Sequence, residues 1–161
     1  MSKANVLYYF RRKQDIYVAV LEQTLANWLT PLDALNPNGD PLDELWQYTK
    51  AKLAMSRTSP EASKLFANEI LNGAPMIKSY LENDLRKLVE EKCHIIQGWI
   101  DSGQITQISP LHLIFFIWSA TQHYADFMPQ VSALHSGDED TLFADAEHAL
   151  WQLLNNGLRP Q

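Results

Sequence analysis

Trp118 and Gln122 stand four residues apart in a run that reads as helix, so they share one face. A buried indole offers a flat surface on which a ring can stack. A carboxamide sets a donor beside an acceptor. The pair suits a planar lactam such as uracil or thymine, whose ring edge alternates N–H and C=O. Trp28, with Leu25 and Leu29 within one turn of it, is placed to supply an opposite wall. The same residues also fit a plainer arrangement, with Trp118 as ordinary core and Gln122 as a satisfied interface amide.

The remaining reactive side chains are less organised. His94, His112, His123, His135 and His148 are scattered, and Glu90 with His94 on one face matches many solvated pairs. No metal and no cofactor are expected. His123 is expected to hydrogen-bond within the core or a subunit interface. Cys93 is the single cysteine, which excludes an internal disulfide, and His94 beside it points in another direction on a helix. No glycine-rich phosphate loop and no nucleophile elbow is present, so an enzyme is not expected.

The elements that must position these residues are helical. The chain has 161 residues and is 46% apolar, enough for one compact domain with a sizeable core. Asp40-Pro41, Ser59-Pro60 and Ser109-Pro110 each place a capping side chain before proline at the first helical position. Gly73, Gly103 and Gly157 fall where apolar periodicity stops. The pattern predicts an all-α fold of seven helices, near 2–9, 13–35, 41–57, 60–72, 75–102, 110–133 and 139–157. In the fifth, Leu81, Leu85, Leu88, the stem of Lys92, Ile95 and Trp99 make one stripe. The sixth is apolar on all sides over Leu113–Trp118. The seventh has a core stripe of Leu142, Phe143, Ala146, Leu150, Leu153 and Leu154, and a second face of His148, Trp151 and Asn155. Such excess apolar surface predicts a homodimer closed by the last two helices, with Phe116, His148, Trp151 and Asn155 at its interface.

Charge is unevenly spread. The net charge is −6, yet residues 1–13 hold Lys3, Arg11, Arg12 and Lys13 and no acid. The rest carries nine basic and nineteen acidic side chains, a net of −10. A basic end on an acidic body fits one anion-binding terminus, or simply a solvated tail. No window approaches the roughly 18 uncharged apolar residues of a membrane span. The opening residues lack the pattern of a secretory leader, and a cytoplasmic location is expected.

One stretch carries more specific information. Ser2-Lys3-Ala4-Asn5-Val6-Leu7-Tyr8-Tyr9-Phe10-Arg11-Arg12-Lys13 resembles the end of a TetR-family helix-turn-helix, in which adjacent aromatics close a short helix and a lysine opens the next. Asp15 to Leu21 continues as that next helix does in the family. Leu25 to Leu32, Asn68 to Pro75, His112 to Phe127, and Gly157-Leu158-Arg159-Pro160 are similar to a pyrimidine-responsive subgroup. The resemblance implies that Lys3, Ala4 and Asn5 face bases, Asn5 bonding adenine and Lys3 donating to guanine. It implies that Tyr9 and Lys13 contact phosphate and that a pyrimidine pocket lies at positions matching Trp118 and Gln122. The implied division is a helix-turn-helix remnant at 1–13 and a ligand-binding and dimerisation domain at 14–161.

Family members carry further DNA-binding helices ahead of this point. Met1 is therefore expected to fall inside the DNA-binding domain, and the chain as given is expected to bind operator DNA poorly. The function implied is repression relieved by a small planar effector. An autonomous dimeric ligand-binding module without DNA-binding activity is the alternative.

Overall fold

The computed structural model describes residues 12–160. The expected helix near 2–9, with Lys3, Ala4, Asn5 and Tyr9, lies outside the described residues. The described elements are α1 (Lys13–Asp33), α2 (Pro41–Thr58), α3 (Pro60–Leu71), α4 (Lys78–Tyr80), α5 (Arg86–Asp101), α6 (Pro110–Asp126), α7 (Met128–Leu134) and α8 (Glu139–Leu158), with a π turn over Leu81–Leu85 joining α4 to α5. The fold is all-α, as the periodicity predicts, and no strand occurs among the described residues.

The caps differ in how they work. Asp40 Oδ1 accepts from the Asp43 N–H at 2.9 Å, and Asp138 Oδ1 accepts from the Thr141 N–H at 2.8 Å. Both satisfy donors that a helix start leaves free. Ser59 and Ser109 precede proline as expected but make no side-chain cap hydrogen bond. Gly73 and Gly103 do end helices with φ of +86° and +72°, a region costly for a residue with a Cβ. Gly157 does not end one, because α8 continues through Leu158.

Two long predicted helices are broken. The segment expected at 75–102 begins at Lys78, and its first turns widen into the π turn before α5. Buried Val89, Lys92, Ile96, Trp99 and Ile100 form its inner face, with Leu85, Leu88 and Ile95 only partly covered at the margin. The segment expected at 110–133 divides at Phe127, where φ is −116° and ψ is 25°. Pro129 causes the break: it has no N–H to donate and its ring opposes a continuous preceding turn.

Helix α2 is the hub, packed against α1, α3, α6 and α8. Its Leu45 and Tyr48 join Leu32 of α1, Ile96 and Trp99 of α5, and Ile114 and Ile117 of α6 in the main core. A second cluster gathers Leu21 and Leu25 of α1 with Ala74 and Ile77, edged by Leu65 and Phe66 of α3. α6 is covered only on one side: Leu113, Ile114, Ile117, Thr121 and Ala125 are buried, whereas Leu111, Phe115 and Phe116 remain 39–45% exposed. On α8, Leu153 turns away from the core stripe to which the periodicity assigns it and is 60% exposed.

Candidate effector site

Three helices converge on the face of α6 that carries Trp118 and Gln122. A groove of about 670 Å³ runs between α3 and α6, lined by Phe66, Ala67, Ile70, Trp118, Gln122 and Asp126 among others. Trp118 and Gln122 are thus brought together, as their four-residue spacing requires. The indole N–H of Trp118 donates to the Tyr48 hydroxyl at 2.5 Å. That bond locks the ring and leaves its face, rather than its polar edge, for stacking.

Trp28 approaches the same region from α1. Its ring meets Phe66 edge-on, with centroids 5.4 Å apart and planes at 74°. Leu25 and Leu29 diverge from it. Leu25 belongs to the second apolar cluster and Leu29 packs against the main core. Of the three α1 residues singled out from sequence, only Trp28 thus bears on the groove, through Phe66.

The structure adds a residue whose importance the sequence pattern did not expose. Lys52 is 3% exposed, and its ammonium lies 4.4 Å from the centroid of the Trp28 ring. Burial lowers its pKa to about 8, and the opposing charge of Asp126 limits the fall. No carboxylate lies within ion-pairing distance of Lys52 among the described residues. Asp126, at the end of α6, accepts a hydrogen bond from the Ser63 hydroxyl of α3 at 2.5 Å. Tyr48, one turn before Lys52 on α2, is buried deeply enough that its phenol is held well above its ordinary pKa. It remains a neutral O–H, accepting from Trp118 and free to donate.

Gln122 and Asp126 thus line the groove beside Trp118 and Phe66, whereas Tyr48 and Lys52 are buried on α2 without lining it and Trp28 lines a neighbouring cleft. Burying a lysine without an ion pair is costly, and the face of Trp28 offsets part of that cost here. Sequence reasoning passed over Tyr48 and Lys52. The signal was nevertheless present, because Leu45, Thr49, Lys52 and Ser56 fall in phase on the buried face of α2.

Of the other reactive groups, His123 lines the groove, whereas Cys93, His94, His112, His135 and His148 do not. His123 is exposed and stacks on Phe127 with centroids 5.1 Å apart, so it does not serve the core. Cys93 is partly buried, and burial together with the Glu90 charge pushes its thiol pKa up, away from reactivity. Among the expected interface residues, Phe116 and His148 are exposed. Trp151 is half-buried against Trp46, 5.2 Å between ring centroids, and Asn155 accepts from Arg159 Nε at 3.1 Å. Lys13 is exposed at the start of α1. Among the described residues no helix is long and apolar enough to cross a membrane.

The chain is similar to known proteins along its whole length. The family model for the YcdC-like protein, C-terminal region, of the TetR type, matches residues 21–161. The HTH-type transcriptional regulator RutR of Escherichia coli O157:H7 is 43% identical over 163 residues, which span all of this chain and 77% of that protein. The proteins of the same name from Escherichia coli strain K12 and from Shigella flexneri are similar to the same extent, at 43%.

Proposed function

The chain belongs to the TetR family of helix-turn-helix transcriptional regulators, and from that premise we propose that it senses a planar cyclic imide such as uracil or thymine and releases operator DNA in response. The observation that carries this reading is Lys52. A buried ammonium beside the Tyr48 hydroxyl and opposite the Asp126 carboxylate supplies donors for ring carbonyls and an acceptor for a ring N–H. Trp118, Trp28 and Phe66 supply the apolar surfaces on which such a ring packs, and Gln122 reads its edge.

In this proposal residues 1–13 belong to the DNA-binding domain and residues 14–161 form the sensing and dimerisation domain. Lys3, Ala4 and Asn5 read bases, while Tyr9 and Lys13 hold phosphate. Two copies pair through α6 and α8, which sets the spacing of their recognition helices. The effector acts by binding one arrangement of α1 better than the other, since no ligand shifts an equilibrium otherwise. The protein acts in the cytoplasm. A sensing module with no operator of its own would share every feature of the groove, and DNA binding by the chain fused to the helix-turn-helix segment of a RutR relative separates the two.

Calorimetry of the chain with uracil, thymine and cytosine tests the site. Uracil or thymine should bind, and cytosine more weakly, because part of its edge carries the opposite donor pattern. Gln122→Leu keeps bulk but leaves a polar ligand edge unpaired, at roughly 1–3 kcal/mol, so affinity should fall about 5- to 150-fold. Trp118→Ala should cost more by opening a void as well. Absence of binding below millimolar concentration, or an unaltered affinity in Gln122→Leu, overturns the pyrimidine reading.

A further inference from the structure

Helix α3 is tied at three successive points along its length. Ser63, fully buried, bonds Asp126 at the end of α6. Phe66 lines the groove and meets Trp28 in the middle of α1. Glu69 is 3% exposed and reaches the start of α1, where its Oε2 accepts from the Tyr17 hydroxyl at 2.9 Å. Its Oε1 accepts from the Met76 N–H at 2.7 Å, and its carbonyl accepts from the Ala74 N–H at 2.9 Å. The carboxylate is thereby clamped to the turn that ends α3, and one oxygen is left to hold α1.

The other end of α1 is held differently. Lys92 of α5, 3% exposed, donates to the Asp33 carbonyl oxygen at 2.9 Å and pairs with the Asp33 carboxylate at 3.2 Å. Pro31 lies just before this anchor and removes one intrahelical hydrogen bond. α1 thus has a fixed C-terminal end, a weakened last turn and an N-terminal part held by the second apolar cluster, with the Tyr17–Glu69 bond as its polar tie to α3.

Resting on the effector-site reading above, we infer that Glu69 is a positioning residue that carries movement of α3 at the groove to the first turns of α1 through Tyr17. Ser63 and Phe66 sense the groove, and Glu69 moves with them because all three share one rigid helix. Tyr17 follows Glu69, and α1 turns about its anchor at Lys92. The bond is a lever rather than a prop, since Leu21 and Leu25 hold that part of α1 to the second cluster without it.

Amide hydrogen exchange of residues 17–21 reads the lever, because these are the first α1 amides with intrahelical acceptors. A double-mutant cycle without ligand isolates it. Ser63→Ala frees the first turn of α3 from Asp126 of α6 and should change exchange at 17–21 by about 2- to 30-fold in the otherwise native chain. In a Tyr17→Phe background it should change nothing further. Glu69→Gln, whose amide can donate to the Tyr17 oxygen, should keep the response. Additive effects of Ser63→Ala and Tyr17→Phe overturn the inference.

A second arm adds uracil at saturation. It should alter exchange at 17–21 in the native chain and not in Tyr17→Phe, while calorimetric affinity stays within about twofold, as expected for a distant site. An unchanged exchange response in Tyr17→Phe also overturns the inference. Failure of uracil to bind the native chain refutes the pyrimidine reading instead, and the ligand-free cycle still tests the role of Glu69.

Discussion

Lys52 sets function against stability within one side chain. Its pKa of about 8 lies below the ordinary lysine value of 10.5, so the ammonium at neutral pH costs the folded state roughly 3 kcal/mol, partly offset by the face of Trp28. Lys52→Met should therefore raise folding stability at pH 7 by about 1–3 kcal/mol in urea denaturation, yet weaken uracil binding. The pH dependence has a definite sign. Between pH 8 and 10 the unfolded chain keeps this proton while the folded chain loses it, so the lysine's penalty fades as pH rises. The advantage of Lys52→Met should shrink across that window. Taking the difference between the two proteins removes the opposing contribution of Cys93, whose raised pKa costs stability as pH climbs past 9. A methionine variant no more stable than the parent at pH 7, or one that binds uracil equally well, refutes the role given to this residue. Trp118 and Gln122 are legible in sequence because spacing alone puts them on one face. The burial of Lys52 is legible in the phase of α2, but its approach to Asp126 is not, because that depends on how α2 crosses α6 and no local pattern encodes the crossing.

At the scale of the helix, the uncovered faces of α6 and α8 carry the dimer proposal. Leu111, Phe115 and Phe116 on α6, and Leu153 on α8, remain 39–60% exposed after the chain has folded. Ala149, Leu153 and Gly157 recur every fourth residue along a shallow groove of α8, which leaves room for the close approach of a second helix. Leu153→Glu or Phe116→Glu should dissociate the dimer while leaving helicity intact. A symmetric interface uses each residue twice, so roughly 2 kcal/mol per site weakens association about a thousandfold. Trp151→Glu should act otherwise, lowering monomer stability by about 2–4 kcal/mol through loss of its packing on Trp46. Sedimentation at micromolar concentration, with circular dichroism, distinguishes these outcomes, and a parent chain that is monomeric throughout ends the proposal. Helix phase is legible in sequence where one face is buried by many neighbours, as at Phe143, Ala146 and Leu150. It misleads at Leu153, assigned by periodicity to the core stripe but 60% exposed. The breaks at Phe127 and at Leu81–Leu85 differ in what the sequence shows of them. Pro129 marks the first, whereas the π turn has no residue signature and follows from how α4 must reach the second cluster.

For the whole molecule, charge and anchoring decide how it meets DNA. Four basic residues and no acid lie at positions 1–13, while the remaining 148 residues carry a net charge of −10. Long-range attraction is thus confined to one end, and the body opposes any approach that is not end-on. Of the proposed DNA contacts, Lys13 lies at the N-terminus of α1, so its placement follows that helix, which is bonded to Glu69 through Tyr17 near one end and to Lys92 at the other. The 161-residue chain spans 77% of the length of its RutR relatives. With its acidic body opposing phosphate, this chain should bind operator-containing and random duplexes only weakly. A fusion that places the helix-turn-helix segment of a RutR relative ahead of it should discriminate between them. Measured against salt, the log–log slope should steepen by about 0.9 for each added phosphate contact. Uracil should then lower operator affinity in the extended protein and leave the weak binding of the shorter one unchanged. Tight, sequence-selective binding by the 161-residue chain alone contradicts this account, as does an extended protein whose operator affinity ignores uracil although calorimetry shows the ligand bound.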